Sequence, residues 1–215
     1  VWDPASDPLL PEPYGPKNLA GKARAKRELT ALAGLEPDRP LLGVVSRLAG
    51  QKGLDLLLAA APELVRQGWS LFVLGSGEPE LEDGFTRLAE TLAHVGARLA
   101  YDEELAHLVY AGSDALAIPS RFEPCGLSQM IAMRYGTLPL ARRTGGLADT
   151  IDHLETGFLF TEPTAVALAG AARGAISLYG SAAWEGMVGR AMAREFSWDR
   201  AAAAYQEVYG RVARG

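Results

Sequence analysis

The chain has 215 residues, an apolar fraction of 48% and a formal net charge of −5. That fits one globular domain with or without extensions, and it argues against a general nucleic-acid footprint. A single cysteine excludes an internal disulfide and fits a reducing compartment, expected to be the cytoplasm, while no apolar run approaches the ~18 residues of a membrane span and no secretory signal is visible.

The chain begins at Val1 rather than Met, which fits a processed or excised piece. Residues 1–16, VWDPASDPLLPEPYGP, carry five prolines and read as a hinge or linker arm outside the core. A helix-forming run, NLAGKARAKRELTALAGL, follows and closes near Gly34. From Pro40 short apolar runs alternate with helical ones. Strands are expected at 41–48, 70–77 with its turn, 97–102, 115–120, 138–143 and 157–160. Helices are expected at 55–67 with an irregularity at Pro62, at 79–95 weakened by Gly84, at 103–113 and at 126–136. After Pro163 the pattern is helical at 165–180, 182–195 and 198–213. The alternation predicts an α/β, Rossmann-like, doubly wound parallel sheet over 17–197, with 198–215 as a C-terminal helical segment.

Such sheets bind ligands beyond the carboxyl ends of their strands, which selects four loops. In SRLAGQKG (46–53), Arg47 and Lys52 lie across a glycine-containing turn, where both can face one anion at a helix N-terminus. They read equally as two solvated cations, and the loop is not a Walker sequence. Lys52 is the last of four lysines in a chain with seventeen arginines, and a compact ammonium fits where a planar guanidinium does not. GSGEPE (75–80) starts like a dinucleotide fingerprint but lacks the third glycine, so tight-turn chemistry is the better reading. In RRTGGLAD (142–149) the paired glycines permit close backbone approach to a ligand, or simply make a turn. In SRFEPCGLSQ (120–129), Glu123 precedes Pro124 and can accept hydrogen bonds from a polyol, cap the helix or pair with Arg121. Cys125 reads as a small buried filler rather than a nucleophile, and His94, His107 and His153 show no metal spacing. G-x-S-x-G is absent. Residue patterns alone thus suggest nucleotide-sugar binding.

Taken together, SRLAGQKGLDLLL, GSGEPELE and PSRFEPCGLSQMIAMRYGTLPLARRTGGLADT, in this order and spacing, resemble the C-terminal half of bacterial glycogen synthases and plant starch synthases. The opening WDPASD and the closing FSWDRAAAAYQEVY are similar too, so the resemblance covers almost the whole chain. It implies one half of a two-domain GT-B fold that uses ADP-glucose to extend an α-1,4-glucan with retention of configuration, and that needs no metal ion or other cofactor. The net charge and the lack of an apolar span already set the expectation of no nucleic-acid and no membrane partner. Arg47 and Lys52 match the basic pair on the donor diphosphate, and Glu123 the carboxylate that hydrogen-bonds and positions the donor glucose; these three are the implied catalytic set. Cys125, Gly126, Leu127 and Ser128 match the turn that meets sugar and phosphates, Tyr101 an aromatic stacked on adenine, and Thr144, Gly145 and Gly146 a glycine loop bordering the cleft. Ser128 stands where threonine is common. Ile131 stands where many other retaining GT-B transferases carry a second glutamate, which favours the glycogen synthase family over them. Lys52 is in the wrong loop for a pyridoxal Schiff base, which disfavours phosphorylase.

The acceptor-binding half is not represented in the sequence, so the chain alone is expected to be inactive. The C-terminal helix, which in the family packs partly on that half, is expected to be less well anchored. A stand-alone nucleotide- or glucan-binding module is the second reading, and a nicotinamide dehydrogenase rests on GSG alone.

Overall fold

The computed structural model describes residues 2–214. Val1 and Gly215, the outer ends of the expected arm and C-terminal segment, lie outside them. Six parallel strands form one sheet: β1 (Leu41–Val45), β2 (Ser70–Leu74), β3 (Val95–Arg98), β4 (Ala115–Ile118), β5 (Leu138–Arg142) and β6 (Phe158–Phe160). Their order is β3-β2-β1-β4-β5-β6, as expected for a doubly wound sheet. Helices α1 (Ala20–Ala33), α2 (Leu54–Arg66), α3 (Pro79–Thr91), α4 (Glu103–Gly112), α5 (Ser128–Arg134), α6 (Gly145–Thr150), α7 (Ala165–Leu178), α8 (Ala182–Met192) and α9 (Trp198–Val212) connect and follow the strands. Helices on both faces explain why the strands are continuous apolar runs rather than alternating ones: β2 and β4 are buried at every position. Trp69, Tyr135, Phe72, Phe85 and Phe158 are the largest fully buried side chains of the core.

Strand ends differ from expectation in ways that matter for the site. The third strand, expected at 97–102, is Val95–Arg98, because α3 stops at Thr91 and His94 takes a left-handed φ of 66°. Residues 99–102 are thereby freed as a loop that carries Tyr101. The first strand ends at Val45 instead of 48, releasing Ser46 and Arg47 from the sheet. Pro62 leaves α2 unbroken. Gly84 is where α3 approaches α2, since a Cβ there would sit 2.7 Å from Leu58 Cδ1.

The arm expected outside the core is packed into it. Residues 2–16 form no helix or strand, yet Leu10 and Tyr14 belong to the core cluster and Asp7 is only 5% exposed. Asp7 Oδ2 accepts from the Tyr135 hydroxyl at 2.5 Å and lies 2.6 Å from His107 Nδ1, while the Tyr14 hydroxyl donates to the Tyr135 carbonyl at 2.8 Å. Burial pushes the Asp7 carboxyl up, but the bonds from Tyr135, His107 and the Leu9 N–H prevail and hold it below the ordinary 3.8. A depressed carboxylate contributes stability that is present above pH 3.8 and lost as pH falls through the lowered folded value. Asp7→Ala, which orphans two buried polar groups, is expected to cost about 3 kcal/mol and to lower Tm by about 10 °C. Asp7→Asn is expected to lose this acid limb of the stability–pH curve; thermal denaturation across pH checks both.

Two of the N-terminal lysines are structural. Lys22 Nζ donates to the Ala111 and Ser113 carbonyls and to Thr137 Oγ1, at 2.9, 2.8 and 2.7 Å, so its three protons meet three oxygens at the end of α4. Lys26 pairs with Asp114 at 2.7 Å, and the same carboxylate oxygen accepts from the Leu41 N–H where β1 starts. At the other end of the chain α9 buries none of its residues, and Trp198, Tyr205, Val208, Tyr209 and Val212 are exposed.

Strand order reverses between β1 and β4, so the loops leaving these two strands border a crevice. They are the loops that carry Arg47 and Lys52 on one side and Glu123 on the other.

Candidate functional site

A cavity of about 470 Å³ opens at this crevice, walled by Arg47 from the β1 loop, Tyr101 and Asp102 ahead of α4, Tyr110 within α4, and Ser128 at the start of α5. A much smaller one of about 20 Å³, room for about one water, adjoins it and is lined by Lys52, Ser120 and Glu123. Val45, Ser46 and Ser128 line both.

Lys52 reaches this place through a 3-10 turn, Gly50–Lys52, closed by Gly53 at φ 66°. A Cβ on Gly53 would lie 2.1 Å from the Pro119 carbonyl, so only glycine lets the β1 loop lie this close to the end of β4. The approach sets Lys52 Nζ 2.6 Å from Glu123 Oε2, which also accepts from Ser120 Oγ at 3.2 Å. Glu123 is 8% exposed. Of its open alternatives, pairing with Arg121 and capping are both excluded. Arg121 binds both oxygens of Asp55 at 2.6 and 2.7 Å and the Gly50 carbonyl at 2.9 Å, and α5 begins without a side-chain cap. The Arg121 hydrogen bonds hold the Asp55 carboxyl below its ordinary range. Arg142 secures the loop from the β5 side by donating to the Ser120 carbonyl at 2.9 Å and to that of Arg121.

Gly145 and Gly146 support Glu123 instead of lining either cavity. A Cβ on Gly145 would lie 2.2 Å from the Glu123 carbonyl oxygen, and one on Gly146 2.0 Å from that of Cys125. The Gly146 N–H is already spent on the Glu123 carbonyl at 3.0 Å. Thr144 is the extended N-cap of α6 and makes no side-chain cap bond. Cys125, expected to be a buried filler, is exposed, because the 123–127 loop stands out from the sheet end. Gly126 turns this loop at φ 73°, and Gln129 Nε2 beneath it donates to the Cys125 and Gly126 carbonyls at 3.0 and 2.9 Å. Leu127 is exposed and lines a third cavity of about 650 Å³ between α5 and the connection from α8 to α9.

Arg47 is exposed and makes no ion pair among the described residues, so its guanidinium is free at the mouth of the larger cavity. Tyr101 is 87% exposed on the same rim. Asp102 behind it caps α4 by accepting from the Leu105 N–H at 2.9 Å. The GSGEPE segment is a tight turn, as read: a Cβ on Gly77 would strike the Leu48 carbonyl at 2.1 Å, and the Gly77 N–H donates to Glu82 at 2.7 Å. Among the described residues no group of three or more His, Cys, Asp and Glu side chains is arranged to hold a metal ion.

The structure therefore gathers Arg47, Tyr101 and Ser128 around one cavity, and Lys52, Glu123 and Ser128 around the next. It leaves Cys125, Gly126, Thr144, Gly145 and Gly146 as the frame of the Glu123 loop. Among the lining residues not foreseen are two aromatics, Trp2 and Tyr110. The first sits in a segment read as an arm. The second is one apolar position among many in α4, with no local signal to set it apart.

Residues 26–183 match the family model described as Glycosyl transferases group 1. The chain belongs to that family. It is 48% identical over 222 residues to a glycogen synthase of Anaeromyxobacter dehalogenans, covering 99% of this chain and 47% of that protein. It is 44% identical to a glycogen synthase of Edwardsiella ictaluri, covering 99% and 47%. Among solved structures, the catalytic domain of starch synthase IV from Arabidopsis thaliana, bound to ADP and acarbose, superposes with a TM-score of 0.90 at 37% identity, covering 98% of this chain and 46% of that one. The C-terminal domain of a glycosyl transferase group 1 family protein from Francisella tularensis shares the fold at a TM-score of 0.66 and 17% identity, with 92% of that chain covered. The chain spans about half the length of the curated relatives it matches, and its fold is that of one half of a GT-B glycosyltransferase.

Proposed function

We propose that this chain is the donor-binding half of an ADP-glucose-dependent α-1,4-glucan synthase of the glycogen and starch synthase kind, acting in the cytoplasm without a metal ion. The observation that carries this reading is the Lys52–Glu123 pair at the strand-order reversal, beside a larger cavity with a free Arg47. A chain so similar to glycogen synthases, and to a starch synthase solved with ADP, supports the choice of donor.

In this reading the diphosphate lies between Arg47 and Lys52, and the base lies against Tyr101. The phosphate must take Lys52 in competition with Glu123. Once Lys52 turns to the anion, the Glu123 carboxylate is free to accept hydrogen bonds from glucose hydroxyls, so one exchange of partners readies both ends of the donor. When the bond between the anomeric carbon and the phosphate oxygen breaks, the electron pair leaves with ADP. The two cations, already placed, stabilise that growing charge without solvent reorganisation. The acceptor hydroxyl of the α-1,4-glucan bonds to the anomeric carbon and passes its proton to the phosphate oxygen of the departing ADP. Glu123 positions the sugar and is not a nucleophile in this scheme.

The test is calorimetry with ADP on Arg47→Ala and Lys52→Ala. Each is expected to weaken ADP by about 1.5–3 kcal/mol, the scale of a charge-assisted hydrogen bond, and to weaken AMP less. Unchanged ADP affinity in both variants would remove the assignment. For the base, Tyr101→Ala is expected to weaken ADP by roughly 1–3 kcal/mol, and Tyr101→Phe by little. Equal losses would mean that the hydroxyl acts and that stacking does not.

A further inference from the structure

Among the described residues Trp2 alone lines both the 470 Å³ cavity and the 650 Å³ cavity, so its indole partitions them. It is held unusually firmly for a residue in a segment without helix or strand. One face lies on the His107 imidazole, with ring centroids 3.9 Å apart and planes 14° from parallel. Tyr110 meets it edge-on at 5.4 Å. His107 is itself fixed: it is 4% exposed, and its Nδ1 lies 2.6 Å from Asp7 Oδ2, which also accepts from the Tyr135 hydroxyl. Next to Trp2, Asp3 accepts from Arg134 Nη2 at 2.8 Å. Bonds from α4 and from the end of α5 therefore hold Asp3 and Asp7, and the indole immediately before them lines the cavity that Tyr101 and Arg47 border.

Packing the segment onto the core needs Leu10, Tyr14 and Asp7, but not a large aromatic ring at a cavity wall. A flat heteroaromatic base is recognised by apolar, polarisable surfaces presented to its faces and edges, and sequence-tolerant affinity follows from such surfaces. We propose that Trp2 is an aromatic wall of the nucleoside site, opposite in chain origin to Tyr101, and that His107, locked by Asp7, is the positioning residue that fixes its ring. The inference rests on the donor reading above and deepens it by assigning a base-contacting residue outside the four strand-end loops.

The experiment titrates the 215-residue chain with ADP and with inorganic pyrophosphate, by calorimetry and by tryptophan emission, in the parent and in Trp2→Leu, Trp2→Phe, His107→Ala and the Trp2→Leu/His107→Ala double variant. Trp2→Leu is expected to weaken ADP about tenfold, leave pyrophosphate within about twofold, and abolish the ADP-dependent change in emission. Trp2→Phe is expected to recover most of the ADP affinity. His107→Ala is expected to weaken ADP in the same direction, and the double variant to match Trp2→Leu, because the histidine acts only through the indole. Trp2→Leu binding ADP as tightly as the parent, with its emission change intact, overturns the wall. Equal losses of ADP and pyrophosphate overturn it as well, since they mark a disrupted fold rather than a lost base contact. Additive losses in the double variant overturn the positioning role of His107. A parent chain that binds neither ADP nor pyrophosphate overturns the donor reading itself, an outcome separate from the failure of Trp2 alone.

Discussion

Glu123→Gln, in a protein that carries both halves, is expected to lower glucosyl transfer by about 10²–10³-fold while ADP affinity stays level or rises. The glutamine keeps the shape of a side chain only 8% exposed at the end of β4 but loses the charge that Lys52 and Ser120 now satisfy. With the carboxylate gone, Lys52 has no competitor for the donor phosphates, so nucleotide binding does not fall. Turnover falls because glucose loses the acceptor that fixes its orientation against the incoming hydroxyl. If Glu123 were merely the counter-ion of Lys52, the same variant would lose stability or ADP affinity and keep its turnover. Incorporation of labelled glucose into glycogen, measured beside ADP calorimetry, separates the two. A folded variant with full turnover, or one that loses ADP binding alone, contradicts the role.

The second large effect concerns the chain by itself. Residues 1–215 are expected to fold as a compact monomer, to bind ADP and to transfer no glucose. Folding is expected because the six-stranded sheet is covered on both faces by the chain's own helices, and because the 2–16 segment closes onto α4 and α5 through Asp7, His107 and Tyr135. Transfer is different. Holding an acceptor hydroxyl against the anomeric carbon can supply about 7–11 kcal/mol of the barrier reduction. In the proposed enzyme that surface belongs to a second half, and the relatives are about twice as long as this chain. With the crevice open on one side, water also weakens the hold of Arg47 and Lys52 on leaving ADP. The check is circular dichroism and ADP binding on the chain alone, followed by a labelled-glucose assay. Robust glucan synthesis would show that the cleft is not needed, or that a second copy supplies its other wall.

The parallel sheet was legible because its signal is local: apolar runs of strand length alternate with helical ones, and each strand ends in a loop that advertises glycine, charge or both. Arg47, Lys52 and Glu123 were legible as loop residues for the same reason. That Lys52 and Glu123 are bonded to each other was not, since they lie 71 positions apart and only the Gly53–Pro119 approach brings them together. Gly145 and Gly146 illustrate a different limit. Local pattern says that a side chain is unwelcome there, but not whether a ligand or, as found, the Glu123–Cys125 backbone occupies the space. The opening segment was misread outright. Five prolines erase periodicity, and periodicity is what reveals a buried face. Yet Asp7 and Tyr14 find partners 100 to 128 residues away, and a chain without helix or strand can still be anchored by hydrogen bonds and single apolar side chains. Tyr101 moved from a strand to a loop because His94 adopts a left-handed turn that residue-type preference does not foretell.

The central claim is that this crevice binds the adenine nucleotide sugar, and one calorimetric series tests it most directly: the 215-residue chain titrated with ADP, UDP, ADP-glucose and UDP-glucose. ADP and ADP-glucose are expected to bind, each more tightly than its uridine counterpart, and the ADP signal is expected to be lost in the Arg47→Ala/Lys52→Ala double variant. No binding of ADP, or ADP affinity untouched when both cations are removed, would contradict the account.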